Sequence, residues 1–155
     1  MEVPMTARST GVNHLGLCVR DLGASLAFYR DVVGFSVRSA PRRLAGAWFD
    51  TLTRSDGAEI EVAMCTLGDC TLQLVQYHAA GAEPVAAGHH RPGNPHLCID
   101  VDDVDEKHAE VVALGAHRPT EIVDIAGTGI RSFYVEDPDG TPVEFLQMPT
   151  QADGH

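Results

Sequence analysis

A chain of 155 residues, 44% of them hydrophobic, can bury one globular core, or two small modules sharing one. The formal charge of −11 argues against nucleic acid, whose binding needs a basic footprint. The longest apolar runs fall far short of the roughly 20 residues of a membrane-spanning helix, and Met1 to Thr10 lack the apolar stretch of a secretory signal. These bounds predict a cytoplasmic protein without a nucleic-acid or membrane partner, and they leave room for a small anionic substrate, because a few arginines inside one cleft can act locally.

In chain order, Val12 to Arg20 reads as a strand. Asp21 then caps a helix in which Leu22, Leu26, Tyr29, Val32 and Val33 recur at helical spacing up to Gly34. Phe35 to Ser39 is a short strand, and Pro41 to Asp56 reads as a loop with a strand inside it. Ala58 to Thr66 alternates, with Ile60, Val62 and Met64 on one face and Glu59 and Glu61 on the other. Gly68-Asp69 turns the chain into a strand from Thr71 to Tyr77. Ala79 to Asn94, rich in Ala, Gly and Pro, reads as a linker.

The order then returns. Pro95 to Val101 is a strand, and Asp102 or Asp103 caps a helix with Glu106 at capping-box spacing, ending at Gly115. Strands follow near His117 to Asp124 and Gly129 to Val135. Asp137-Pro138-Asp139-Gly140 is a turn, and Thr141 to Met148 is the last strand. The four cysteines Cys18, Cys65, Cys70 and Cys98 form no C-x-x-C pair and read as reduced, mostly buried thiols. Cys18 and Cys98 each lie an even number of residues after a histidine, which puts them on that histidine's strand face.

The two halves match in detail. His14-Leu15-Gly16-Leu17-Cys18-Val19-Arg20-Asp21 returns as His96-Leu97-Cys98-Ile99-Asp100-Val101-Asp102-Asp103, and Leu72-Gln73-Leu74-Val75-Gln76 returns as Val143-Glu144-Phe145-Leu146-Gln147. Each half reads as βαβββ. The expected fold is α+β: two tandem βαβββ modules, 11–78 and 95–148 with a linker over 79–94, forming a curved, partly closed mixed sheet with helices on the outside. Period-2 alternation turns Leu72, Leu74, Val143 and Phe145 to the helices. His14, Gln73, His96 and Glu144 then line the concave side.

This pattern resembles the vicinal oxygen chelate superfamily, which includes glyoxalase I, methylmalonyl-CoA epimerase, extradiol dioxygenases and bleomycin-resistance proteins. The residues that carry the resemblance are His14-Leu15-Gly16-Leu17, Phe28-Tyr29-Arg30-Asp31-Val32-Val33-Gly34-Phe35, Leu72-Gln73-Leu74-Val75, and Asp137-Pro138-Asp139-Gly140 leading to Glu144. The resemblance implies one divalent metal ion (Co, Ni, Mn, Fe, Zn or Mg) on His14, Gln73, His96 and Glu144. That N/O donor set without thiolate suits an octahedral ion. A glutamine at the second position is most similar to methylmalonyl-CoA epimerase.

The reaction so implied is that of a metal-dependent lyase or isomerase stabilising an enediolate of a small carbonyl or thioester compound. Its proton acceptor is expected among Glu59, Glu61 and Glu144, with the first two on the concave face. A non-haem Fe(II) extradiol-type dioxygenase is the alternative: Phe133-Tyr134-Val135-Glu136-Asp137-Pro138-Asp139-Gly140 and Glu144 match part of its signature. The histidine expected upstream is replaced by Ile125, Ala126 and Gly127. A metal-free drug-binding protein of the bleomycin-resistance kind is the reading from another class. Arg38, Arg42, Arg43 and Arg131 stand as candidates for binding a carboxylate or phosphate. His89-His90 reads as exposed loop, and sheet edges that need covering predict a homodimer.

Overall fold

The computed structural model describes residues 7–78, 89–115 and 118–150. Nine strands and three α-helices are assigned among them, and they form two mixed sheets, one from each half, in the expected α+β arrangement of two tandem modules. The first sheet runs β1 (Leu15–Cys18), β5 (Cys70–Tyr77), β4 (Glu59–Leu67), β2 (Ser36–Val37), with β3 (Arg42–Ala45) also on β4. The second runs β6 (Leu97–Asp100), β9 (Pro142–Gln147), β8 (Ile130–Glu136), β7 (Val123–Ile125). In both, the first strand of the half pairs in parallel with the last, as a crossover through a helix requires.

The helices show why the repeat in sequence is a repeat in structure. Asp21 is extended and its carboxylate accepts from Ala24 N at 2.9 Å, starting α1 (Leu22–Phe28). Asp103 does the same for Glu106 N at 2.9 Å, starting α3 (Val104–Ala113). Each cap contributes about 1 kcal/mol by satisfying an otherwise orphaned N–H. The glutamine that closes each matched segment adds a second cap: Gln76 Oε1 accepts from Leu22 N at 2.8 Å and Gln147 Oε1 from Val104 N at 3.0 Å. Glu106 therefore completes only half of the expected capping box, because Asp103 N donates to Asp102 instead.

Past Phe28, α1 widens into one π-turn over Tyr29–Val33, closed by Gly34 at φ 102°. The extra residue in the turn lets Tyr29, Val32 and Val33 all be buried. One apolar cluster runs through both halves, from Leu17, Tyr29, Phe35, Leu72 and Leu74 to Val104, Val111, Phe133, Val143 and Phe145. The Asp137-Pro138-Asp139-Gly140 turn fastens the halves. Asp137 accepts from its own turn (Asp139 N and Thr141 N) and from Tyr29 Oη at 3.0 Å. Asp139 accepts from the backbone N and the Nε of Arg20.

The segment expected to be loop and strand, Pro41 to Asp56, holds β3 and a second helix, α2 (Ala47–Thr53). Its Phe49 is buried against Ala58, Ile60, Val62 and Val75, with Leu44 and Tyr77 alongside, which stabilises the packing by roughly 1.5–3 kcal/mol for the one side chain. Ile60, Val62 and Val75 belong to the sheet face away from α1. Helix α2 therefore covers part of the Gln73 side of the first sheet. Of the four cysteines, only Cys65 is buried; Cys18, Cys70 and Cys98 are exposed free thiols, a correction to the expected burial. Among the described residues no helix is long and apolar enough to cross a membrane.

Candidate metal centre

The pairing register gives each predicted ligand its place. In the first sheet Gly16 pairs with Gln73, and His14 lies two residues before Gly16. In the second, Cys98 pairs with Glu144, and His96 lies two residues before Cys98. A two-residue step returns to the same strand face. Each half thus places a histidine diagonally ahead of its glutamine or glutamate, on the side away from Leu72 and Leu74 in the first sheet and from Val143 and Phe145 in the second.

The second half is the better assembled. Glu144 Oε1 accepts from Ser132 Oγ at 2.5 Å and Oε2 from Tyr134 Oη at 2.9 Å. His96 Nε2 is 3.9 Å from Oε2. Cys98 is the cross-strand partner of Glu144 on β6. Burial pulls the Glu144 pKa up, but the hydrogen bonds from Ser132 and Tyr134, with Cys98 and His96 nearby, outweigh it and hold the group below its ordinary value. The neighbours move the other way. Although Cys98 is exposed as a residue, partial desolvation of its thiol first, then the Glu144 charge, pushes it up to about 11. Burial and the hydrogen bond to Glu144 push Tyr134 up to about 12. At neutral pH the cluster is one carboxylate held by protonated donors.

The first half is looser. His14 is exposed and its Nδ1 meets Asn13 Oδ1 at 2.7 Å. Gln73 is half-buried, and Gly16 beside it leaves room: a Cβ there would stand 3.8 Å from Gln73 Oε1. Among the described residues no three histidine, cysteine or acidic side chains converge on a point that would hold an ion, so His14 does not meet the His96–Glu144 pair. The donors fit a divalent ion in type and in the face they share. Two of them, His96 and Glu144, also fit in position.

Glu59 and Glu61 do not belong to this face, contrary to expectation. Glu61 pairs with Gln76, whereas Gln73 pairs with Met64, so the two glutamates lie on the opposite side of β4. Arg43 Nη1 holds Glu59 at 2.5 Å, and His78 Nε2 stands 3.5 Å from Glu61. His89 was read as exposed loop; it is exposed, yet its ring packs edge-on against Tyr134, 4.7 Å between centroids, which brings it beside the Glu144 cluster. His108 is occupied elsewhere, with Nε2 on Thr120 O at 2.9 Å, and His117 lies outside the described residues. Ser132 carried no signal of its own. Its even spacing from Tyr134 was the only pointer to a shared face.

The model of the Glyoxalase/Bleomycin resistance protein/Dioxygenase superfamily matches residues 11–145. The chain belongs to this superfamily. Two relatives span nearly its whole length. A 2-epi-5-epi-valiolone epimerase of Actinomyces sp is 28% identical over 93% of this chain and 82% of its own. A lactoylglutathione lyase of Haemophilus influenzae is 26% identical over 91% and 95%. Among solved structures, a glyoxalase family protein from Bacillus cereus superposes with a TM-score of 0.81 at 17% identity, covering 95% of this chain and 99% of that one. The superfamily thus joins lyases and epimerases on one scaffold of two modules, and the scaffold alone does not choose among them.

Proposed function

We propose that this protein is a divalent-metal-dependent lyase or isomerase of the glyoxalase and epimerase kind. It would act on a small carbonyl or thioester compound through an enediolate. The observation that carries this reading is the paired register, His14 ahead of Gln73 and His96 ahead of Glu144, with Glu144 kept anionic by the hydroxyls of Ser132 and Tyr134. A divalent ion held by His14, Gln73, His96 and Glu144 would supply positive charge for a pair of substrate oxygens. The ligand set has one carboxylate and three neutral donors, so the loaded site keeps a net positive charge suited to an anionic oxygen pair.

The proton chemistry falls to residues on the same face. Glu59 and Glu61 face away, so the acceptor for the acidic proton beside the carbonyl is Glu144, through Oε2. Tyr134, protonated and hydrogen-bonded to that oxygen, returns a proton or steadies the carboxylate. Ser132 fixes the other oxygen. The His89 ring packs edge-on against Tyr134 at this end of the site. A homodimer is part of the same reading, because both sheets have edge strands to cover; a monomer in sedimentation would contradict it.

The test is proton–deuterium exchange at the carbon beside the carbonyl, on a panel of 2-substituted acyl thioesters and hemithioacetals with metal-loaded protein. Exchange that disappears in Glu144→Gln is the expected result; no exchange across the panel would count against the proposal. The dioxygenase reading is favoured by one observation, the phenol of Tyr134 beside both His96 and Glu144. Oxygen consumption with a catechol and ferrous iron would select it instead. A chain that takes up no metal would select the drug-binding reading.

A further inference from the structure

The four arginines that stood as anion-binding candidates sort into two groups. Arg43 and Arg131 are ion-paired, with Glu59 and with Asp105 and Asp124. Arg38 and Arg42 have neither an ion pair nor a guanidinium hydrogen bond among the described residues. The sorting follows the sheet. Arg42 pairs with Val62, and Val62 with Val75. Arg38 N donates to Met64 O at 2.8 Å, continuing the register in which Ser36 pairs with Thr66 and Val37 with Cys65, and Met64 pairs with Gln73.

Cross-strand partners share a face. Two rows therefore cross the Gln73 side of the first sheet: Gly16, Gln73, Met64, Arg38, and beside it Cys18, Val75, Val62, Arg42. The arginines end both rows. They belong to neighbouring stretches on the outer flank of β4, with residues 39–41 between them. At the usual spacing of strands, Arg38 stands about 10 Å from Gln73 at the backbone. The half-buried Met64 lies between Arg38 and Gln73 as an apolar floor, while Val62 in the neighbouring row is covered by Phe49 of α2. Arg43, one residue on, faces the other way and is already neutralised. In a chain with twice as many acidic as basic residues, 22 against 11, two unneutralised guanidinium groups on the ligand-bearing face have a local attraction that the net charge opposes elsewhere.

We propose that Arg38 and Arg42 form an anion subsite. It would bind a carboxylate or phosphate group of the substrate, remote from the oxygens that react and separated from them by a short apolar stretch. This deepens the function proposed above, since it rests on the Gln73 face being the substrate side, and it narrows the substrate to an anionic carbonyl compound. Guanidinium groups suit this task through their fixed fork of donors. Such a contact binds the part of the substrate that does not react, so it acts chiefly on affinity.

The experiment uses the full chain free of metal. Inorganic phosphate and, separately, succinate are titrated while the arginine Nε–H signals are followed by NMR. Phosphate or succinate should shift Arg38 and Arg42 and leave Arg43 and Arg131 in place. Arg38→Gln and Arg42→Gln should each weaken binding about tenfold, the loss expected for one charge-assisted hydrogen bond, and Arg43→Gln should leave it unchanged. A larger response to phosphate assigns a phosphate, to succinate a carboxylate. No shift with either anion, or equal shifts at all four arginines, overturns the subsite. Metal binding is measured apart, so a chain that binds phosphate here but takes up no metal keeps the subsite and loses the metal reading. The converse result loses only the subsite.

Discussion

The two halves of this chain use one plan to different degrees of completion. At the second-half site the carboxylate of Glu144 is gripped by Ser132 and Tyr134, with Cys98 paired across the strand and His96 close by. At the first-half site the position equivalent to Cys98 is Gly16, the carboxylate is replaced by the neutral Gln73, and His14 turns to Asn13. The backbone of the repeat is kept nearly bond for bond: Val19 N to Val75 O and Val101 N to Leu146 O, both 2.9 Å, and the glutamine caps of both helices. Architecture was thus held equal while the chemistry diverged. One half supplies a fixed anion, and the other supplies neutral donors with space around them.

The largest effect should come from removing a ligand of the assembled half. His96→Ala is expected to abolish divalent-metal binding, exceeding the ~100-fold that loss of an outer partner costs, while circular dichroism and the melting temperature stay close to wild type. Retained metal content in that variant would sink the assignment. Next, Ser132→Ala should weaken metal binding about 10–100-fold by freeing Glu144 Oε1. Unchanged affinity would make Ser132 a packing residue only.

Gln73→Glu gives the first half the second half's charge and should tighten divalent binding about tenfold, since ligand charge count tunes affinity; an isothermal titration that shows no gain would remove Gln73 from the ligand set. The pH dependence follows from Glu144. Its folded pKa is lowered, so its contribution to stability is present in full above the ordinary value of 4.5 and is lost as pH falls through the folded value. Denaturant midpoints of wild type should therefore drop more steeply below about pH 4.5 than those of Glu144→Gln. Parallel curves would contradict this. Smallest of all, Gly16→Ala should change stability by less than about 0.5 kcal/mol, because its φ is ordinary and the new methyl meets only Gln73 Oε1 at van der Waals distance. A large loss would mean that the first half is packed as tightly as the second.

Much of this was legible in the sequence because it depends on local rules. Asp21 and the Asp102-Asp103 pair announce the helix starts, and the His-headed strands with the matched segments Leu72 to Gln76 and Val143 to Gln147 give the repeat. What was not legible depends on register and on packing across elements. Alternation shows that Glu59 and Glu61 share a face, but only the pairing of Glu61 with Gln76 and of Met64 with Gln73 shows which face. The same ambiguity hid the difference between Arg42 and Arg43. Helix α2 escaped because it opens at Gly46 without a side-chain cap and buries a single aromatic, Phe49. The Asp137-Pro138-Asp139-Gly140 segment read as a turn, and it is one. Its second task, joining the halves through Tyr29 and Arg20, needs contacts more than a hundred residues apart in sequence.

The central claim is that both halves serve one metal ion. Isothermal titration of manganese(II) into wild type, His14→Ala and His96→Ala tests it most directly. The account predicts one ion bound per site in wild type and loss of that binding in both variants. Binding that His96→Ala destroys and His14→Ala leaves untouched would contradict it, and would confine the site to the second half.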